Sequence, residues 1–169
     1  TGWTLLQYSA SCMTRVWQLA VERSGNPAIG LNMARVVRPG HFSVVGYSLM
    51  SSRTLREGFG RVVRYQRLIG ESADMVMQIE PDTCRLQFAI HGDRLPAARQ
   101  SVEAAMAYAL AFCRWMTAEP IVPLKATFAR PEPQDTTPYR ALFDCPLEFD
   151  APSYSLLMSR QLMEAPLAT

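Results

Sequence analysis

ADMVMQIEPDTCRLQFAI, residues 73–90, decides the fold class. Met75, Met77 and Ile79 alternate with polar or small neighbours, and after the turn residues EPDT the alternation resumes at Cys84, Leu86, Phe88 and Ile90. Successive side chains of a strand point to opposite faces, so a period of two on both sides of a turn predicts an antiparallel hairpin with one apolar face.

The flanking sequence has a helical period. Upstream, residues 11–23 carry Val16, Trp17, Leu19 and Ala20 at helix-like spacing, with Gly25 placed to end the helix. NPAIGLNMARVV predicts a short helix with Pro27 in its first turn, and residues 44–50 predict another. Thr54 and Glu57 form a T-x-x-E capping box that opens a helix over 54–69, stopped by Gly70. Downstream, a helix is predicted over 96–116 and a third strand over Leu124, Ala126 and Phe128. RPEPQDTTP reads as a proline-rich loop, structured sequence resumes at YRALF, and LEF and YSLLM are candidates for further strands. Helices before and between antiparallel strands predict an α+β fold, with helices packed on a small, largely antiparallel sheet in one domain over residues 1–169.

Composition narrows the function. The chain has 169 residues, 49% of them hydrophobic, and a net charge of +2, too small to mark a dedicated nucleic-acid-binding surface. Cys12, Cys84, Cys113 and Cys145 are scattered, with no C-x-x-C pair, so neither a metal site nor a disulfide framework is expected and the thiols read as reduced and mostly buried in a cytoplasmic protein. No apolar run approaches membrane-spanning length, and residues 1–15 lack a signal-peptide pattern. Because it starts without Met and stops at PLAT, the chain is expected to be a piece of something longer.

Gly46-Tyr47-Ser48-Leu49-Met50 raises the question of a nucleophile elbow. That turn needs small residues on both sides of the serine, and Met50 occupies the second glycine position of G-x-S-x-G. His41 and His91 are the only histidines available as a base. Ser48 therefore reads as a small residue at a helix contact; a small serine esterase is the alternative from another functional class. No cofactor is expected.

RPGHFSVVGYSLMSSRTLREGFGRVVRYQRLI, then PLKATFARPEPQDTTPYRALFDCPLEFDAPSYSLLM and a closing LMEAPL, together resemble the N-terminal effector-binding domain of AraC-type transcription regulators. The likeness is to the arabinose-binding-like subgroup that includes regulators of ornithine utilisation. It runs from about Trp17 to Leu167, and the blocks occur in the family's order. Ser155 is a departure, since Asn is expected before the LLM-like run. The resemblance implies a non-enzymatic domain that senses a small molecule, such as an amino acid or related metabolite, or that forms a homodimer, or both. It also implies that DNA is read only by a C-terminal helix-turn-helix domain, absent from this chain.

Gln66 projects onto the apolar side of the 54–69 helix, between Leu55 and Phe59. A buried amide needs partners: a backbone hydrogen bond is one answer, and an effector is another, with Tyr47, Tyr65 and His41 as neighbours. Arg56, Arg64 and Arg67 fall on the opposite face, which reads as solvated, with contact to DNA phosphates or to the missing domain as the functional alternative. In SVEAAMAYALAFCRWM, Glu103 and Arg114 share a narrow polar edge of an otherwise apolar helix. Ala104, Ala107 and Ala111 form a smooth side that, if left uncovered, is a candidate dimer surface.

Overall fold

The computed structural model describes residues 10–36, 50–69, 73–90 and 98–167. The helix expected over 44–50 falls outside them except for Met50, as do His41, Tyr47, Ser48 and His91.

The hairpin forms as its alternation predicts. Strands β1 (Ala73–Ile79) and β2 (Thr83–Ile90) run antiparallel, with Met75 opposite Phe88, Met77 opposite Leu86 and Ile79 opposite Cys84. The Glu80 N–H donates to the Thr83 carbonyl at 2.9 Å, and the Thr83 hydroxyl donates to the Glu80 carboxylate at 2.9 Å, closing the turn. The expected third strand is β3 (Lys125–Thr127); LEF supplies β4 (Leu147–Glu148) and YSLLM supplies β5 (Tyr154–Ser159). All five make one sheet in the order β1-β2-β5-β3-β4, antiparallel except between β3 and β4. The fold class is therefore α+β, as the hairpin and its flanking helices imply.

One face of the sheet is the core: Leu86, Phe88, Ala126, Leu156 and Met158 are buried on it. The opposite face is polar, with Lys125 paired to Glu148. Ser155 nevertheless has no exposed surface, because its hydroxyl lies 2.7 Å from that of Thr127 and accepts from Arg85 at 3.2 Å. Where Asn was expected, a serine thus ties three strands together.

Helix α1 (Ala10–Ser24) ends at Gly25, whose φ of 65° lets its N–H turn back to the Val21 carbonyl. Helix α2 (Leu55–Ile69) opens with the expected reciprocal cap: the Glu57 N–H donates to the Thr54 hydroxyl at 3.1 Å, and the Glu57 carboxylate accepts from the Arg53 N–H at 2.8 Å. That backbone bond is also the main reason the Glu57 carboxyl lies below its usual range. Leu55 and Phe59 are buried, while Arg64 and Arg67 face solvent and Arg56 reaches Glu164 at 2.7 Å.

Helix α3 (Ala98–Thr117) is the central element. Met106, Ala107, Leu110 and Cys113 are buried along it, and burial pushes the Cys113 thiol up to about 12. Of the four cysteines, Cys84 and Cys113 are buried, Cys145 is half-buried and Cys12 is exposed.

The helix is enclosed as a core element would be, and its narrow polar edge is enclosed with it: Glu103 is completely buried. The alanine side is not free: Ala104 and Ala107 are buried within the single chain and Ala111 is half-buried. The 3-10 helix Ile29–Arg35, formed where a short helix was expected, makes the most extensive approach to α3. Gly30 is what permits it: a Cβ there would lie 2.6 Å from the Gln100 carbonyl oxygen, and the Gly30 N–H already donates to the Gln100 side chain at 2.8 Å. The small side chains admit a close neighbour as expected, but the neighbour belongs to the same domain.

Candidate functional site: a charged concavity backed by a buried carboxylate

The proline-rich run does not stay a loop to its end. Asp135 accepts from the Thr137 N–H at 2.9 Å, Pro138 fits the first turn, and helix α4 (Thr137–Phe143) follows. Asp144 ends it in the left-handed conformation, φ 51°, with its N–H on the Arg140 carbonyl. Positions four apart share a helix face, so Thr136, Arg140 and Asp144 line up. They form one wall of an open concavity of about 620 Å³.

The segment after α4 makes the opposite wall, where Leu147 and Phe149 supply apolar surface and Asp150 a carboxylate; Glu132 closes one end. The lining is thus a greasy floor with three acids and one guanidinium. Among the described residues, Arg140 forms no ion pair with any of those acids.

Both walls are anchored in the core. Tyr139 and Phe143 point inward from α4 and pack edge-on against Phe128, with ring centres 5.3 and 5.5 Å away. Phe149 stacks on Phe128 at 5.0 Å while also lining the concavity. The Tyr139 hydroxyl donates to the Glu103 carboxylate at 2.8 Å, and Arg130 Nη1 lies 3.0 Å from both the carboxylate and that hydroxyl. From the other wall, the Asp150 N–H donates to the Arg130 carbonyl at 2.7 Å. One carboxylate on α3 therefore receives a bonded path from each wall.

Burial raises the Glu103 pKa, and the bonds from Tyr139 and Arg130 pull it back only in part. Burial, followed by the charge of Glu103, pushes the Tyr139 phenol up as well, so it stays protonated and keeps donating. A buried charge in this position is tolerable only while its partners are present. The sequence reading missed this group because Arg130 and Tyr139 lie far along the chain from Glu103.

The residues singled out on α2 are placed differently. Gln66 is half-buried, and its side-chain carbonyl accepts from the Met75 N–H at 2.6 Å. Met75 belongs to β1, which stands at the edge of the sheet among the described residues, so the amide meets a backbone donor that has no strand partner on that side among those residues. Tyr65 is 43% exposed beside it, and Tyr47 and His41 lie outside the described residues. The structure brings Gln66 to a strand edge rather than to the concavity on α4.

Comparison with known proteins gives three concordant findings. The family described as the arabinose-binding domain of AraC transcription regulators, N-terminal, matches residues 7–167. The ornithine utilization regulator of Pseudomonas aeruginosa is 25% identical over 147 residues, covering 85% of this chain and 42% of that protein. The crystal structure of the transcriptional regulator CdpR from Pseudomonas aeruginosa superposes with a TM-score of 0.71 at 17% identity, over 98% of this chain and 59% of that one. The fold is shared with CdpR, and the chain spans less than two thirds of either relative.

Proposed function

Because the chain belongs to the family of arabinose-binding N-terminal domains of AraC transcription regulators, we propose that it is the regulatory domain of such a regulator, a non-enzymatic module working in the cytoplasm. It senses a small metabolite, and occupancy of the domain biases how a C-terminal helix-turn-helix domain of the longer protein meets DNA. The observation that carries this reading is the family match over residues 7–167, supported by a concavity whose two walls converge on the central helix. That both named relatives are transcription regulators favours this over an esterase built on Ser48.

Two places compete for the effector. On α2, Gln66 and Tyr65, with Tyr47 and His41 beyond the described residues, would orient a ligand through an amide; but the Gln66 carbonyl is already engaged by Met75. The concavity on α4 has uncommitted charge and a floor, and it has the better claim.

A module that dimerises without a ligand is the second reading. Val16 and Leu19, one turn apart on α1, are 53% and 44% exposed and suit self-association better than the covered alanines of α3. Ligand and dimer are compatible, since regulators that read paired half-sites are commonly dimers.

The test is a metabolite screen by thermal melting of this chain, followed by DNA binding of the longer regulator with each hit. A ligand at a hundredfold excess over its dissociation constant stabilises the folded form by about 2.7 kcal/mol, well within reach of a melt. The same ligand is expected to change promoter occupancy of the longer protein, while this chain alone shows no salt-resistant, sequence-selective binding. A stabilising ligand with no effect on occupancy, or selective DNA binding by this chain, would contradict the reading.

A further inference from the structure

Neither the core nor the concavity uses the basic face of α2. Residues 53–67 hold five arginines against a single acid, Glu57, although the whole chain carries a net charge of only +2. Positive charge is gathered here, and the rest of the chain is net acidic. At about 100° per residue, α2 sets Arg56, Arg64 and Arg67 within about 80° of arc and along about 16 Å of its length. All three are exposed, but they differ in their partners. Arg56 pairs with Glu164 at 2.7 Å, and Arg61, at the flank of the row, pairs with Glu57 at 2.6 Å. The side chains of Arg64 and Arg67 have no ion pair or hydrogen bond among the described residues. Like charges this close on a helix repel each other, so the far end of α2 holds uncompensated positive charge on a rigid element.

The last described residues lie at the near end of the same row. Helix α5 (Arg160–Glu164) rests against α2, Pro166 bridges Thr54, and the Leu167 N–H donates to the Arg53 carbonyl at 2.8 Å. Position 167 therefore stands beside the start of α2. Both named relatives are longer than this chain.

We propose that the arginine face of α2, centred on Arg64 and Arg67, is an auxiliary DNA contact: it holds backbone phosphates of duplex gripped by the helix-turn-helix domain, adding affinity without sequence information. The proposal rests on the regulatory role above and goes beyond it, since that role leaves DNA to the C-terminal domain alone. A domain of about 100 residues has a radius of gyration of about 13 Å, so duplex held by one that continues from position 167 lies within reach of the row. Duplex DNA carries one negative charge per about 1.7 Å of its axis, so guanidiniums set in line along a helix meet acceptors at every position. A folded protein partner would need a matching row of acids.

The experiment measures promoter binding by the longer regulator and by its Arg64→Ala, Arg67→Ala variant between about 50 and 200 mM salt. Loss of two phosphate contacts is expected to weaken binding by about tenfold and to reduce the slope of log affinity against log salt by about 2. The loss should be equal on promoter and on unrelated duplex, and Arg64→Lys with Arg67→Lys should restore both affinity and slope, because the charge is kept. In a second arm, a short duplex of unrelated sequence titrated into the 169-residue chain at low salt should move the amide resonances of residues 56–67, and added salt should erase the shifts. Unchanged affinity and slope in the alanine variant, or shifts centred away from α2, overturns the proposal. Weaker binding with the parental slope, together with an altered melt of the DNA-free longer protein, overturns it in favour of a face that docks the helix-turn-helix domain. A longer protein that binds no promoter overturns the regulatory role and this proposal with it, whereas promoter binding indifferent to these arginines overturns this face alone.

Discussion

Glu103 on α3 and Gln66 on α2 are both polar residues set among apolar ones, and the molecule treats them oppositely. Glu103 has no exposed surface and is held by two side chains from the region that follows β3. Gln66 is half-buried and held by a backbone N–H only nine residues further along. The first carries a charge that must be matched in full, and the second supplies one acceptor at the edge of a sheet. A polar group's importance therefore follows from its charge and its enclosure, more than from how odd it looks on a helical wheel.

The largest expected effect comes from the buried side of this contrast. Removing one partner of an enclosed ion pair leaves the other unmatched, so Glu103→Ala should lower unfolding stability by about 3–5 kcal/mol in urea denaturation. A loss below about 1 kcal/mol would place Glu103 in the same class as Gln66. The sign with pH is also fixed. Burial holds the Glu103 carboxyl above its ordinary value of 4.5, so the folded chain keeps this proton where the unfolded chain has lost it. Its contribution is then most favourable at low pH and declines as pH rises from the ordinary value through the raised one. Comparing the chain with Glu103→Gln across that window isolates the slope, which the variant should lack.

Gly30→Ala tests whether α3 is as tightly covered on its alanine side as on its Glu103 side. The added methyl would meet backbone of Gln100 at 2.6 Å, and a loss of about 1–3 kcal/mol is expected, read from the midpoint of denaturation. A neutral substitution would mean that the 3-10 helix yields and the small-residue side can be opened. Gln66→Leu should cost less, about 1 kcal/mol, because the strand-edge donor it abandons can be met by water, and the variant should remain folded. A cost matching that of Glu103→Ala would erase the contrast. Smallest of all is Arg64→Ala with Arg67→Ala on the solvent face of α2, for which an unchanged melting temperature is expected.

What was legible in the sequence was local. The hairpin, the capping box at Thr54 and the glycine after α1 each place cause and effect within a few residues, and each formed where expected. The fold class followed from them. β5 shows the limit: YSLLM reads as one short apolar run among several, yet it is the middle of the sheet, because β2 and β3 supply its partners from elsewhere in the chain. The partners of Glu103 were hidden for the same reason. α4 was hidden by a different one, since the prolines around Asp135 suggested a loop, although Asp135 and Pro138 are also what starts a helix there. Once that helix is recognised, Thr136, Arg140 and Asp144 fall on one face by spacing alone, so half of the concavity was within reach. The other half depends on how 146–150 returns past Phe128.

Everything proposed for the concavity requires that Glu103 join its walls to α3 energetically as well as geometrically. A double-mutant cycle on Glu103→Gln and Tyr139→Phe, with each variant and the pair unfolded in urea, measures that joint directly. Residues in one hydrogen-bonded network couple, and a coupling free energy above about 1 kcal/mol is the expected result. Single losses that simply add, to within about 0.3 kcal/mol, would contradict the account: they would make the 2.8 Å bond between the two side chains a contact without consequence.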